Sequence, residues 1–178
     1  MESYMNRISN TGIVPVVKIL EKEDAYPLAK ALLNGGIDVI EVTYRSEHAT
    51  SAIQTISEQL PDMLVGAGTV LSVEQAKEAV EAGAKFIITP GFNTKVVQWC
   101  LDHDVEVYPG VSTASEVEMA LSMGLTQLKF FPAESSGGAK KLKDLSAPYA
   151  NVHFMPTGGI NTKNMHCLLY TSPSPRDA

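Results

Sequence analysis

The chain has 178 residues, 44% of them hydrophobic, and a formal net charge of −6. That length suffices for one domain with a real core, and the apolar content argues against long disorder. The acidic balance disfavours a nucleic-acid binder, which carries a basic stripe, and no run of eighteen apolar residues is present to span a membrane.

From the N-terminus, MESYMNRISNTG has no apolar core of the kind a signal peptide needs. Short β-like runs then alternate with amphipathic helical runs seven times. The strand candidates are IVPVVKIL (13–20), VIEVTY (39–44), LVGAGTV (64–70), FIITPG (86–91), VEVYPGV (105–111), QLKFFP (127–132) and VHFMPTGG (152–159). Several are rich in β-branched or aromatic residues, and turn signals follow most of them. Between them, Leu28, Ala29, Leu32 and Leu33 form one apolar face, ended by Gly35-Gly36. Ala49, Ala52, Ile53, Ile56 and Leu60 form the next, stopped by Pro61. Ser72 with Gln75, and Thr113 with Glu116, have the spacing of capping boxes.

Regular βα alternation implies a parallel sheet, either doubly wound or closed into a barrel. A doubly wound fold advertises glycines after its first strand, but 19–24 reads ILEKED. Polar residues instead recur near strand ends: Lys18, Glu41, Thr69, Thr89, Lys129 and Thr157. Barrel active sites draw on the ends of several strands, so the expected fold is a (β/α)8 TIM barrel. Only seven strands are recognisable, in a single domain over 1–166. The tail 167–178 contains Pro173 and Pro175, which bar a helix or central strand there. This tail is expected to be disordered, and the eighth βα unit to be lacking, as in a truncated or frame-disrupted product.

The residue that stands out is Lys129, between Leu128 and Phe130 in QLKFFPAE. A strand buried on both faces should read as continuously apolar. Burial disfavours the charged form of an amine, and a neutral amine adds to ketones to give a Schiff base. The competing reading is a strand-end lysine whose ammonium reaches water. Glu41 in VIEVTYR is a candidate general base or a solvent-facing partner of Arg45. Arg45 could clamp a carboxylate through two hydrogen bonds or simply open a helix. GAGT (66–69) admits close approach of a ligand, with the Thr69 hydroxyl as donor, or is a bend in the strand. PTGGI (156–160) suits a phosphate or is a plain turn. The four histidines have no ligand spacing, and Cys100 and Cys167 have no CxxC. No metal site or other cofactor is expected, and a reducing cytoplasm is the expected compartment.

Taken together, PVV, IEVTYR, VGAGTV, TPGF, YPGVSTASE, LKFFPAE and PTGGI occur in this order at plausible spacings. The set resembles the 2-keto-3-deoxy-6-phosphogluconate (KDPG) and 4-hydroxy-2-oxoglutarate (KHG) aldolase family, from about Ile13 to Ile160. The resemblance implies a metal-independent class I aldolase of carbohydrate metabolism, including the Entner–Doudoroff route, on a barrel that is commonly a homotrimer. It implies Lys129 as Schiff-base lysine and Glu41 as proton donor and acceptor. Arg45 and Thr69 would hold the pyruvoyl carboxylate, and Pro90 and Phe131 would line the pocket by the ketone. Thr157, Gly158 and Gly159 would serve the distal phosphate. Cleavage would release pyruvate with glyceraldehyde 3-phosphate or glyoxylate. The alternatives are a phosphosugar isomerase or epimerase without a covalent lysine, and a non-catalytic barrel fragment.

Overall fold

A computed structural model of the chain describes residues 4–166. The expected disordered tail, 167–178, lies outside the described residues. The chain divides into two compact units. One runs to Thr89 and includes Asn93–Val107; the other comprises Pro90–Phe92 and the residues from Tyr108 onward.

The first unit begins with helix α1 (Tyr4–Thr11) and continues with strand β1 (Val16–Val17), α2 (Ala25–Asn34) and β2 (Val39–Thr43). Then follow α3 (Ala49–Gln59), β3 (Leu64–Gly68), α4 (Val73–Glu81), β4 (Phe86–Ile88), α5 (Thr94–Asp102) and β5 (Glu106–Tyr108), whose last residue is counted with the other unit. Its sheet has the order β1-β2-β3-β4-β5, and the first three pairings are parallel. One rung of the ladder aligns Val16, Glu41, Gly66 and Phe86. All five residues of β2 and of β3 are buried, as expected of parallel strands covered on both faces. Ala52, Ile53, Ile56, Ala76, Ala79, Val96, Val97 and Cys100 supply the helical side of this core.

Helix punctuation follows the sequence closely. Ser72 Oγ accepts from Gln75 N at 3.2 Å, and the Gln75 side chain reaches one residue further back, to Leu71 N at 2.8 Å. The expected face of α2 is shifted. Ala25 and Ala29 are buried and Leu32 and Leu33 half-buried, but Leu28 is exposed. At about 100° per residue Leu28 falls at the margin of a stripe centred on Ala25, Ala29 and Leu32.

Helix α1 has little apolar pattern and was not expected from the sequence; of its residues only Ile8 is buried. Its own Arg7 and Thr11 hold it to acceptors further along the chain. Arg7 Nε donates to Asp38 Oδ2 at 2.7 Å and its guanidinium also donates to the Asp38 and Asp62 carbonyls, while Thr11 donates to Asp38 Oδ1 at 2.5 Å. Asp38 precedes β2 and Asp62 precedes β3, so α1 lies across the starts of two strands. Burial pushes the Asp38 carboxyl up, but the hydrogen bonds from Thr11 and Arg7 and the Arg7 charge outweigh this and hold it below the usual value.

The second unit contains β6 (Gly110–Val111), α6 (Ala114–Ser122), β7 (Gln127–Phe130), α7 (Gly138–Ser146) and β8 (His153–Pro156), with a parallel sheet ordered β6-β7-β8. The expected strand over 105–111 is divided at Pro109, which has no N–H to continue a ladder. The two labels β5 and β6 therefore correspond to one expected strand, and the described residues hold seven strand positions. Val111, Val117, Ala120, Leu128, Phe130, Leu142, Val152 and Phe154 form the core of this unit. Helix α6 starts on the expected capping box: Thr113 Oγ1 accepts from Glu116 N while Glu116 Oε2 accepts from Thr113 N at 2.9 Å. No helix among the described residues is long and apolar enough to cross a membrane.

Candidate active site

In the first unit, Glu41 is only 1% exposed, at the centre of β2. Its placement depends on the glycines of GAGT, which point to one face of β3 because residues i and i+2 of a strand share a face. A Cβ built on Gly66 would stand 2.0 Å from the Phe86 ring, and one on Gly68 would stand 1.9 Å from Glu41 Oε1. The two glycines are thus receptacles for a ring from β4 and a carboxylate from β2. Neither a plain strand bend nor a close ligand approach describes them as well.

Arg45 and Thr69 belong to the same unit. Thr43, fully buried at the end of β2, donates from Oγ1 to the Val17 carbonyl at 2.7 Å and accepts from Arg45 Nε at 3.1 Å. Arg45 itself is exposed. Thr69 is half-buried directly after β3 with φ of 55°. A β-branched side chain is strongly disfavoured at positive φ, and such conformations concentrate at functional sites. The amide of Tyr44 donates to the Gly68 carbonyl at 2.8 Å, tying the end of β2 to the turn at Thr69.

In the second unit, Lys129 is 4% exposed in the middle of β7, with Gly110 on one side and Met155 on the other. Leu128 and Phe130, its neighbours, point to the opposite face and into the core. A one-residue register slip would take both out of this core. The apolar pair therefore fixes the direction of the lysine. Lys129 Nζ lies 5.3 Å from the centroid of the Phe131 ring, within cation–π range.

Phe131 in turn packs against the turn after β8: its ring edge lies 3.2 Å from the place a Gly158 side chain would occupy. The chain joins these loops through the backbone. Thr157 N donates to the Phe130 carbonyl at 2.9 Å, Ala133 N to the Thr157 carbonyl at 2.8 Å, and Glu134 N to the Gly158 carbonyl at 3.0 Å. Gly158 and Gly159 adopt φ of 98° and 76°, which an L side chain resists. Glu134 Oε2 accepts from Asn164 Nδ2 at 2.8 Å, and Asn164 also donates to the Gly159 carbonyl. Pro90 joins this group through Gly110, since a Cβ on Gly110 would stand 2.1 Å from the Pro90 carbonyl oxygen. The second unit thus brings together Pro90, Lys129, Phe131, Thr157, Gly158 and Gly159, and the first brings together Glu41, Arg45 and Thr69.

Three contributors were not singled out from the sequence: Thr43, Gly110 and Glu134. Thr43 was the most accessible of them, since it shares the strand face of Glu41 two residues on. Gly110 and Glu134 act through contacts between loops far apart in sequence, which no local pattern reveals. Among the described residues, no group of three or more His, Cys, Asp and Glu side chains is placed to hold a metal ion.

The chain resembles known proteins over most of its length. The family model for KDPG and KHG aldolases matches residues 4–173. The 2-dehydro-3-deoxy-phosphogluconate aldolase of Treponema pallidum is 47% identical over 165 residues, covering 93% of this chain and 79% of the relative. The KHG/KDPG aldolase of Escherichia coli K12 is 44% identical over 158 residues, covering 88% and 74%. Among solved structures, the KDPG aldolase of Legionella pneumophila, with pyruvate captured at low pH as a covalent carbinolamine intermediate, superposes with a TM-score of 0.85 at 44% identity, covering 88% of this chain and 76% of that one. The likeness gives the α/β, TIM-barrel-like fold class, in agreement with the alternation of strands and helices. The chain belongs to the KDPG and KHG aldolase family of class I, Schiff-base-forming lyases.

Proposed function

We propose that this chain cleaves 2-keto-4-hydroxy acids, 2-keto-3-deoxy-6-phosphogluconate or 4-hydroxy-2-oxoglutarate, through an imine on Lys129. The observation that carries the reading is the buried lysine in the middle of β7, inside the match to the family. The covalent pyruvate adduct captured in the Legionella enzyme supports the same chemistry here.

The Lys129 amine adds to the C2 ketone to give a carbinolamine, and loss of water leaves a protonated imine. Glu41 takes the proton of the C4 hydroxyl as the C3–C4 bond breaks, and the electron pair passes into the imine to form an enamine. The aldehyde, glyceraldehyde 3-phosphate or glyoxylate, departs. The enamine is then protonated at C3, by the same glutamate, and water hydrolyses the imine to free pyruvate and the lysine. Arg45 and Thr69 hold the carboxylate, so the ketone is presented in one orientation. Pro90 and Phe131 line the pocket. The Thr157-Gly158-Gly159 turn binds the distal phosphate, supported by its positive-φ glycines, a backbone that suits anion-binding turns. Assembly as a homotrimer in the cytoplasm belongs to this reading.

The test is borohydride reduction in the presence of pyruvate, with the adduct mapped by mass spectrometry. A label on Lys129 and loss of turnover in Lys129→Ala are expected. Folded protein that cleaves substrate without any label on Lys129 would overturn the imine, and folded protein that neither labels nor cleaves but interconverts phosphosugars would favour the isomerase or epimerase alternative. Sedimentation at a mass other than three chains would reject the trimer alone.

A further inference from the structure

We infer that Thr43 is a positioning residue for the carboxylate clamp, setting the orientation of Arg45 through a directional hydrogen-bond relay anchored on β1. The inference rests on the reading of Arg45 given above and adds a residue to it. The hydroxyl of Thr43 has one proton, and the 2.7 Å contact to the Val17 carbonyl takes it, because a carbonyl can only accept. The lone pairs of Oγ1 are left to face Arg45 Nε at 3.1 Å, and a guanidinium can only donate. Both bonds therefore run one way, from Arg45 through Thr43 to Val17. Thr43 is fully buried, so water does not compete for its hydroxyl, and its β-branch limits the side chain to few rotamers.

The relay has a chemical consequence. An arginine can meet a carboxylate side-on, through Nε and one terminal nitrogen, or end-on, through both terminal nitrogens. With Nε committed to Thr43, only the end-on edge remains for a substrate carboxylate. Arg45 is exposed and its long side chain would otherwise sample many rotamers. Held at Nε, it presents one edge in one direction.

The experiment compares imine trapping with pyruvate and with methyl pyruvate, which lacks the carboxylate charge, across Thr43→Val, Thr43→Ser, Arg45→Ala and the Thr43→Val/Arg45→Ala pair. Thr43→Val is expected to raise the half-saturating pyruvate concentration by about tenfold, the scale of losing one hydrogen bond to a charged group. Maximal trapping and the response to methyl pyruvate should stay as in the parent. Thr43→Ser should restore most of the loss, and the pair should be no worse than Arg45→Ala alone. If Arg45→Ala leaves pyruvate saturation unchanged, the clamp reading fails. If Arg45→Ala weakens it and folded Thr43→Val does not, the positioning role of Thr43 fails by itself. A measurement on the parent protein covers the case in which Thr43→Val does not fold. The Arg45 Nε–H resonance should exchange slowly with solvent, and exchange as fast as in a free arginine would overturn the relay.

Discussion

Replacing Gly68 with alanine tests the placement of Glu41 without touching the glutamate. The new Cβ would stand 1.9 Å from Glu41 Oε1 and 2.6 Å from its Cδ and Cγ. The carboxylate must therefore retreat by roughly 1.5 Å before van der Waals contact is restored. The backbone change alone is mild, since alanine in a strand is favoured over glycine by about 0.5–1 kcal/mol. Displacing a reacting group by about 1 Å costs on the order of a hundredfold in rate, or about 2.7 kcal/mol of transition-state stabilisation. Gly68→Ala is thus expected to fold, to form the Lys129 imine with pyruvate, and to cleave substrate about a hundredfold more slowly. Cleavage is followed by coupled detection of pyruvate, imine formation by borohydride trapping, and folding by urea titration. Gly35→Ala is the control: its new Cβ would meet nothing closer than the Leu32 carbonyl oxygen at 3.4 Å. A folded Gly68→Ala protein that cleaves at the parental rate would refute the role given to the Glu41 carboxylate at this position.

Three further outcomes follow from the same structure. Thr69→Gly should relieve the left-handed backbone at this position and hold or raise stability, by up to about 1 kcal/mol, while weakening saturation by pyruvate; a fall in stability with unchanged saturation in trapping assays would contradict both halves. The Asp38 carboxyl is held below its usual value in the folded chain, so its contribution is present above the unfolded pKa of about 3.9 and is lost as pH falls through the folded pKa. Asp38→Asn should therefore cost no more than about 1 kcal/mol at neutral pH, because the pair is partly exposed, and the gap to the parent should close in acid; a gap that stays constant in urea titrations over that range would exclude the linkage. Burial pushes the Cys100 thiol up to about 12, so at pH 8 it is a buried neutral thiol, and peptide mapping should find it alkylated only as fast as the chain unfolds; prompt labelling in native buffer would contradict this.

Lys129 shows how far the sequence could be read. A lysine between Leu128 and Phe130 in an apolar run is legible because the period of a strand is two: the flanking pair goes to the core and the lysine to the other face. Glu41 and the strand-end polar residues are legible on the same grounds, and the ordered motifs carry the family. Helix α1 was not legible, because few of its own side chains are buried and its anchors, Asp38 and Asp62, lie far along the chain. Leu28 was placed on the wrong side of a stripe edge, since a helical pattern fixes a face only to within one residue at its margin.

The sequence by itself determined the seven strand positions, most of the helices with the capping residues Ser72 and Thr113, and the family, and it marked Lys129 and Glu41 as candidates whose burial the fold then decided. These follow from periodicity, from the backbone demands of glycine and proline, and from residue types that act within one element. Only the tertiary structure decided what the glycines of β3 are for, that Thr43 links Val17 to Arg45, and that Phe131, Gly158 and Glu134 lock two loops together. Each is a contact between side chain and backbone across neighbouring strands or loops. The room for such a contact is set by the register of the sheet, and register is a property of paired strands.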